Sequence, residues 1–130
     1  MDQATRTAVL DSIRHWRENA EATRPSAASI GADKCALCVK FSYKLYGPAA
    51  CKECPVYKKT GLAGCGGTPY HEAKGVLTTW KDLARLEGKV SADMEDFLAR
   101  KIAEAKAKQG FQDAAAKEVR FLESLLLEEK

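Results

Sequence analysis

Apolar positions recur at helical spacing toward both ends of this chain and lose that spacing in the middle. Val9, Leu10, Ile13, Trp16 and Ala20 fall three and four residues apart, with Asp11, Arg14, Arg17 and Glu18 between them. This predicts a helix over residues 5–21 with one face in a core. Residues 23–29, with Pro25 and several small side chains, read as a connector. From residue 68 the pattern is helical again. Thr68 suits an N-cap and Pro69 the first helical position, where its missing N–H costs nothing. Ala73, Val76, Leu77, Trp80, Leu83 and Ala84 then form one stripe, and Gly88 supplies a stop. Ser91 caps a following helix in which Met94, Phe97, Leu98, Ile102 and Ala105 share a face, ended by Gly110. A last helix over residues 112–129 gathers Ala115, Val119, Leu122 and Leu126, with Phe121 and Leu125 widening the stripe. Trp16 and Trp80, each inside an apolar stripe, read as core residues.

The middle is different in kind. Residues 30–68 contain all five cysteines, six of the nine glycines and two of the four prolines. Apolar periodicity is weak there, and only short helices, after Cys38 and after Pro55, fit. The expected fold is therefore mainly α: a small helical bundle with a loop-rich, metal-stapled, zinc-knuckle-like segment inserted after the first helix. At 130 residues the chain is expected to form one domain able to bury its own core. Within it lie an N-terminal helix and connector (1–29), the cysteine-rich metal-binding segment (30–68) and the C-terminal helices (69–130).

Composition bears on where such a protein works. No run approaches the roughly 18 apolar residues of a membrane span, and Met1-Asp2-Gln3-Ala4 has no basic n-region of a signal peptide. The expectation is a cytoplasmic protein with no membrane partner. In a reducing compartment, paired Cys-x-x-Cys units bind metals or do redox chemistry more often than they form disulfides, and an odd count leaves one thiol over. The net charge of +3 is unevenly placed. Residues 34–75 hold seven lysines (34, 40, 44, 52, 58, 59, 74) against Glu53 and Glu72, which is +5, while each flank is −1. Four thiolates around a divalent metal would lower the middle to about +3, far from the footprint of an obligate nucleic-acid binder.

The cysteines carry the clearest chemistry. Cys35-Ala-Leu-Cys38 and Cys51-Lys-Glu-Cys54-Pro stand twelve residues apart, the spacing that brings four thiolates to one tetrahedral ion. Zn²⁺ takes four such ligands at about 2.3 Å and has no redox chemistry of its own. The first-choice set is Cys35, Cys38, Cys51 and Cys54. Cys65 either replaces one of them or stays outside as a buried small hydrophobe. His71 is a weaker candidate, and His15 reads as a surface or core-edge side chain. An iron–sulfur cluster is the competing cofactor, with Cys65 as a possible fourth ligand. A thioredoxin-like reading lacks the βαβ pattern that motif needs.

Other patterns are discounted on their chemistry. Residues 61–67, glycine-rich around Cys65, lack the Gly-Lys-Ser/Thr ending and the preceding strand of a phosphate loop. A Cys65–His71 nucleophile pair has nothing to orient the base. Tyr43, Tyr46, Tyr57 and Tyr70, interleaved with Lys40, Lys44, Lys58 and Lys59, offer a stacking-plus-phosphate surface for nucleic acid, against the plainer reading of tyrosines packed around the metal site and lysines in solvent.

His15-Trp16-Arg17-Glu18-Asn19, the CxLC unit at 35–38, the CxxCP unit at 51–55 followed by Val56-Tyr57, Cys65 with Thr68-Pro69-Tyr70, and the closing run from Glu118 to Leu126 together resemble a group of small bacteriophage and prophage proteins. The resemblance covers most of the chain. It implies a phage-encoded, cysteine-rich protein without enzymatic activity, and it implies that Cys65 belongs to the site. The expected function is binding of a host macromolecule, most simply a host replication, transcription or defence protein. The alternatives are nucleic-acid binding through residues 34–75 and iron–sulfur or thiol redox chemistry.

Overall fold

A computed structural model describes residues 1–30, 36–41, 52–62, 65, 67–85 and 93–127. In chain order these form α1 (Gln3–Ala20), a 3₁₀ turn (Pro25–Ala27), α2 (Ala36–Phe41), α3 (Pro55–Thr60), α4 (Tyr70–Ala84) and α5 (Met94–Leu127). The protein is mainly helical, and no strand occurs among the described residues. Both α1 and α4 pack along α5, while α2 lies on α1, α3 on α5 and the 3₁₀ turn on α4. Contacts fix the directions: Gln112 meets Ala22 just past α1 while Asp2 and Thr5 at its start lie by Leu125, and Lys117 meets Glu72 while Gly110 lies against Val76. Each of α1 and α4 therefore runs antiparallel to α5.

α1 starts earlier than its apolar pattern predicts because Asp2 caps it. The Thr5 N–H donates to Asp2 Oδ1 at 2.7 Å, satisfying one of the donors a helix start leaves over. The buried face is Thr5, Ala8, Val9, Ser12, Ile13, Trp16 and Asn19. Leu10, expected in the stripe, is 47% exposed on the far side. Polar side chains take part of the core face because each meets backbone. Ser12 Oγ accepts the Leu37 N–H at 3.3 Å, holding α2 on α1. Asn19 Nδ2 donates to the Ser29 carbonyl and Asn19 Oδ1 accepts the Ser29 N–H, both at 3.0 Å. His15 Nε2 donates to the same carbonyl at 2.7 Å. The connector is thus clamped to the last turns of α1, and buried Asn19 is satisfied on both ends of its amide.

The C-terminal region departs furthest from expectation. One helix of 34 residues, α5, runs through Gly110, where the sequence predicts a stop. Gly110 serves close approach: a Cβ there would lie 3.2 Å from Val76 Cγ1. The helix continues because its next residue, Phe111, is fully buried against Trp80, with ring centroids 5.8 Å apart. Burying a side chain of that size contributes about 1.5–3 kcal/mol, more than the roughly 1 kcal/mol a mid-helix glycine costs. The core face of α5 is Ala107, Phe111, Ala114, Ala115, Glu118, Val119, Leu122 and Leu125. The expected stripe of Met94, Phe97, Leu98, Ile102 and Ala105 is not part of the core. Its four large members are 43–68% exposed. α4 places Ala73, Leu77 and Trp80 in the core as its periodicity predicts, and it ends at Ala84. The expected stop at Gly88 and cap at Ser91 lie outside the described residues.

The two helical glycines test this packing. Gly75 in α4 is exposed with nothing within 4 Å of an added Cβ, so Gly75→Ala is expected to stabilise the protein by about 0.5–1 kcal/mol. Gly110→Leu is expected to destabilise it by about 1–3 kcal/mol, through overpacking against Val76. Denaturant unfolding of both variants reads the difference in sign.

Candidate metal centre and adjoining cleft

Three of the five cysteines lie among the described residues, each on a short, locally fixed element. Cys38 is half-buried within α2, whose position on α1 is set by the Leu37–Ser12 hydrogen bond and by burial of Leu37. Cys54 is buried at the start of α3. Pro55 follows it at the first helical position, and Val56 packs in the core. α3 then ends at Gly61, which is left-handed (φ 74°) and donates its N–H to the Tyr57 carbonyl, a glycine C-cap.

Cys65 is also half-buried, and it is the one non-glycine among the described residues with a left-handed backbone, φ 60°. Thr68 holds it there. The Thr68 hydroxyl and N–H both donate to the Cys65 carbonyl, at 2.7 and 3.3 Å, while Thr68 Oγ1 accepts the Tyr70 N–H at 3.3 Å. The helix begins one residue later than predicted: Pro69, expected at the first helical position, is itself the N-cap, and Tyr70 opens α4 without a side-chain bond from the cap. Thr68 therefore fixes the cysteine turn rather than capping the helix.

Cys35 and Cys51 lie outside the described residues, as do Tyr43, Tyr46 and Lys44. Among the described residues no three His, Cys, Asp or Glu side chains gather as a metal site. Of the three described thiols, Cys38 and Cys65 are half-buried and Cys54 is buried. His71 is exposed and packs edge-on against Tyr70 at 5.2 Å. His15 spends its Nε2 on the Ser29 carbonyl.

Tyr70 connects the cysteine turn to the core. Its ring stands edge-on to Trp16 at 6.0 Å, and Trp16 is in turn edge-on to His15 at 5.9 Å. Such aromatic pairs contribute roughly 0.5–1.5 kcal/mol beyond buried area. The His15–Asn19 run and the Thr68-Pro69-Tyr70 step, distant in sequence, are thus neighbours. Tyr57, like Tyr70, packs against the core, so both described tyrosines have the packing role.

Beside the cysteine-bearing helices lies a cleft of 560 Å³ between the start of α1, the end of α2, α3 and the C-terminal part of α5. Lys40, Lys58 and Lys59 line it over an apolar floor that includes Phe41 and Leu125, with Asp2 and Glu53 at the rim. Phe41 closes α2 and Pro55 opens α3, so the two Cys-x-x-Cys elements bring their helices to one cleft. Lys59 is positioned by a 2.6 Å hydrogen bond to Ser124 Oγ and by the Phe121 ring, 5.3 Å away. Lys58 pairs loosely with Glu53 at 3.6 Å, both well exposed, an arrangement of little energetic weight. Hydrogen bonds from Thr5, its side chain first and then its N–H, hold the Asp2 carboxyl below its ordinary value of 3.8. The cap's contribution is therefore present above that value and is lost as pH falls through the lowered one. Sequence reasoning missed Asp2, Ser12 and Asn19. Only Asp2 carried a signal, an N-cap residue immediately before a helical run.

The left-handed turn yields a direct test. Removing the Cβ relieves a strain of about 1–2 kcal/mol, so Cys65→Gly in chelator-treated protein is expected to raise stability by about 1 kcal/mol. Thermal melts of the variant and the parent protein, both with chelator, give the reading.

Among the described residues no helix is long and apolar enough to cross a membrane. No protein-family model, curated protein or solved structure matches the chain.

Proposed function

We propose that this chain is a non-enzymatic, zinc-stapled helical protein of the cytoplasm that binds another macromolecule through the lysine-lined face beside its cysteines. By its resemblance to phage proteins, the partner is a host protein. The observation that carries the reading is Cys65. It occupies a left-handed turn inside a Gly-Cys-Gly-Gly run, where glycine would sit without strain. A cysteine retained at that cost marks a thiol in use. Cys35, Cys38, Cys51 and Cys54 remain the first-choice ligands, with Cys65 able to take one place. When bound, zinc supplies a rigid tetrahedral tie and no redox chemistry. α2 and α3 are six residues each, too short to persist alone, so they need that tie as well as their docking on α1 and α5.

Partner binding draws its support from the cleft. Three lysines around an apolar floor suit an acidic surface with an apolar anchor, the usual mixture of a protein interface. The nucleic-acid reading has less behind it, since Tyr57 and Tyr70 pack against the core and leave fewer rings for base stacking.

Elemental analysis with a visible spectrum, on protein purified without oxygen, is expected to give one zinc per chain and no visible band. Iron with a broad band near about 400 nm would replace this reading with an iron–sulfur one. Cys38→Ser is expected to lose the metal and unfold the segment from about residue 30 to 70, because metal-binding energy at such a site is also folding energy. Unchanged metal content and melting temperature in that variant would refute the staple. Lys58→Glu/Lys59→Glu is expected to abolish capture of a host protein while leaving the fold intact. If the variant instead loses a strongly salt-dependent affinity for nucleic acid, the partner is nucleic acid.

A further inference from the structure

The N-terminal part of α5 carries a second apolar face that none of the described residues covers. Ala107 is the first core residue of this helix, and the segment before it extends about 20 Å at 1.5 Å per residue. On it Met94, Leu98 and Ile102 follow each other at four-residue spacing, 68%, 52% and 58% exposed, with Phe97 beside them at 43%. At about 100° per residue, Leu98 and Ile102 lie roughly 140–180° around the helix from Ala107. This stripe therefore points away from the core that α5 serves further along. Contiguous exposed apolar patches of a few hundred Å² are uncommon on soluble monomers and mark interaction surfaces.

Charge placement on the same segment selects the occupant. Glu95 lies on one flank of the stripe near its start, and Lys106 lies on the same flank near its end. A twofold axis normal to two antiparallel helices brings like flanks together. We propose that the stripe pairs antiparallel with the same stripe of a second copy of this chain. With Leu98 against Ile102 of the second copy, the axis falls at residue 100. Glu95 then stands beside Lys106 of the second copy, and the pairing occurs twice. Lys101 lies near the axis on the other flank, where it is drawn over its own Phe97 ring at 5.7 Å, away from its symmetry mate. The Asp96–Arg100 pair, 2.6 Å apart, sits on the opposite side of the helix and leaves the stripe clear. The face is smaller than the roughly 800 Å² per partner of a standard interface, so the dimer is a weak, concentration-dependent one.

Sedimentation equilibrium of the full chain under reducing conditions, which excludes disulfide-linked dimers, tests this over roughly 5–500 µM. The expected result is a reversible dimer. Because Leu98 and Lys106 are exposed, their substitution leaves helix content and melting temperature of the monomer unchanged. Glu95→Lys removes a first-turn carboxylate and lowers monomer stability slightly, so the dimer constant rather than the melt is the readout. Leu98→Glu is expected to weaken dimerisation at least about tenfold by placing a charge in the apolar centre. Glu95→Lys and Lys106→Glu are each expected to weaken it by about threefold, and the double exchange Glu95→Lys/Lys106→Glu to restore it, since only this register makes the two positions neighbours. A monomer throughout the range, a dimer indifferent to Leu98→Glu, or a double exchange no better than its single variants would each overturn the proposal.

Discussion

The apolar face of α5 over residues 107–125 is the surface on which both other long helices are buried. α1 and α4 meet chiefly through it and through the Trp16–Tyr70 contact, and they share little backbone packing of their own. This arrangement forces the helix to be continuous. A break at Gly110 would separate Ala107 from Phe111 and leave Trp80 without its partner ring. The lack of a side chain at Gly110 is what lets α4 approach at Val76, so the same residue that weakens the helix locally strengthens the interface. The end of the connector is fastened to this frame by Asn19 and His15, and the cysteine-bearing helices by Ser12, Lys59 and the Thr68 turn.

Helical character and the docking face of α4 were legible, because each depends on spacing within one segment. The length of α5 was not. A glycine in a helical pattern looks the same in sequence whether it ends a helix or admits a neighbour, and only Val76, thirty-four residues away in the chain, distinguishes the two. The rotation of α1 was hidden for a related reason. Ser12 and Asn19 look like solvent residues until Leu37 and Ser29 arrive to satisfy them, and the apolar Leu10 then loses its place in the core. The stripe of residues 94–102 had the correct periodicity and the wrong destination, since periodicity reports that a face is apolar and not what it meets.

At the candidate site, the cysteine spacing raised the expectation of a metal staple, for which the described residues gather no ligand set. The structure adds the backbone of Cys65, which no spacing argument contains. The motifs that carried the family resemblance prove to be spatial neighbours. His15, Trp16 and Asn19 meet Tyr70 and Ser29, while Phe121 and Ser124 seat Lys59 next to the cleft. These residues build the frame beside the cysteines and the cleft whatever the partner.

The docking of α1 against the far end of α5 also sets an order of events in the cell. Val9, Ile13 and Trp16 are made first, yet the surface that covers them is synthesised about a hundred residues later. At roughly 5–20 residues per second, the first helix leaves the ribosome some five to twenty seconds before it can be buried. Its tryptophan face is exposed to chaperones throughout that interval. The cysteine segment emerges in between, and α2 can dock on α1 through the Ser12–Leu37 hydrogen bond before the bundle closes.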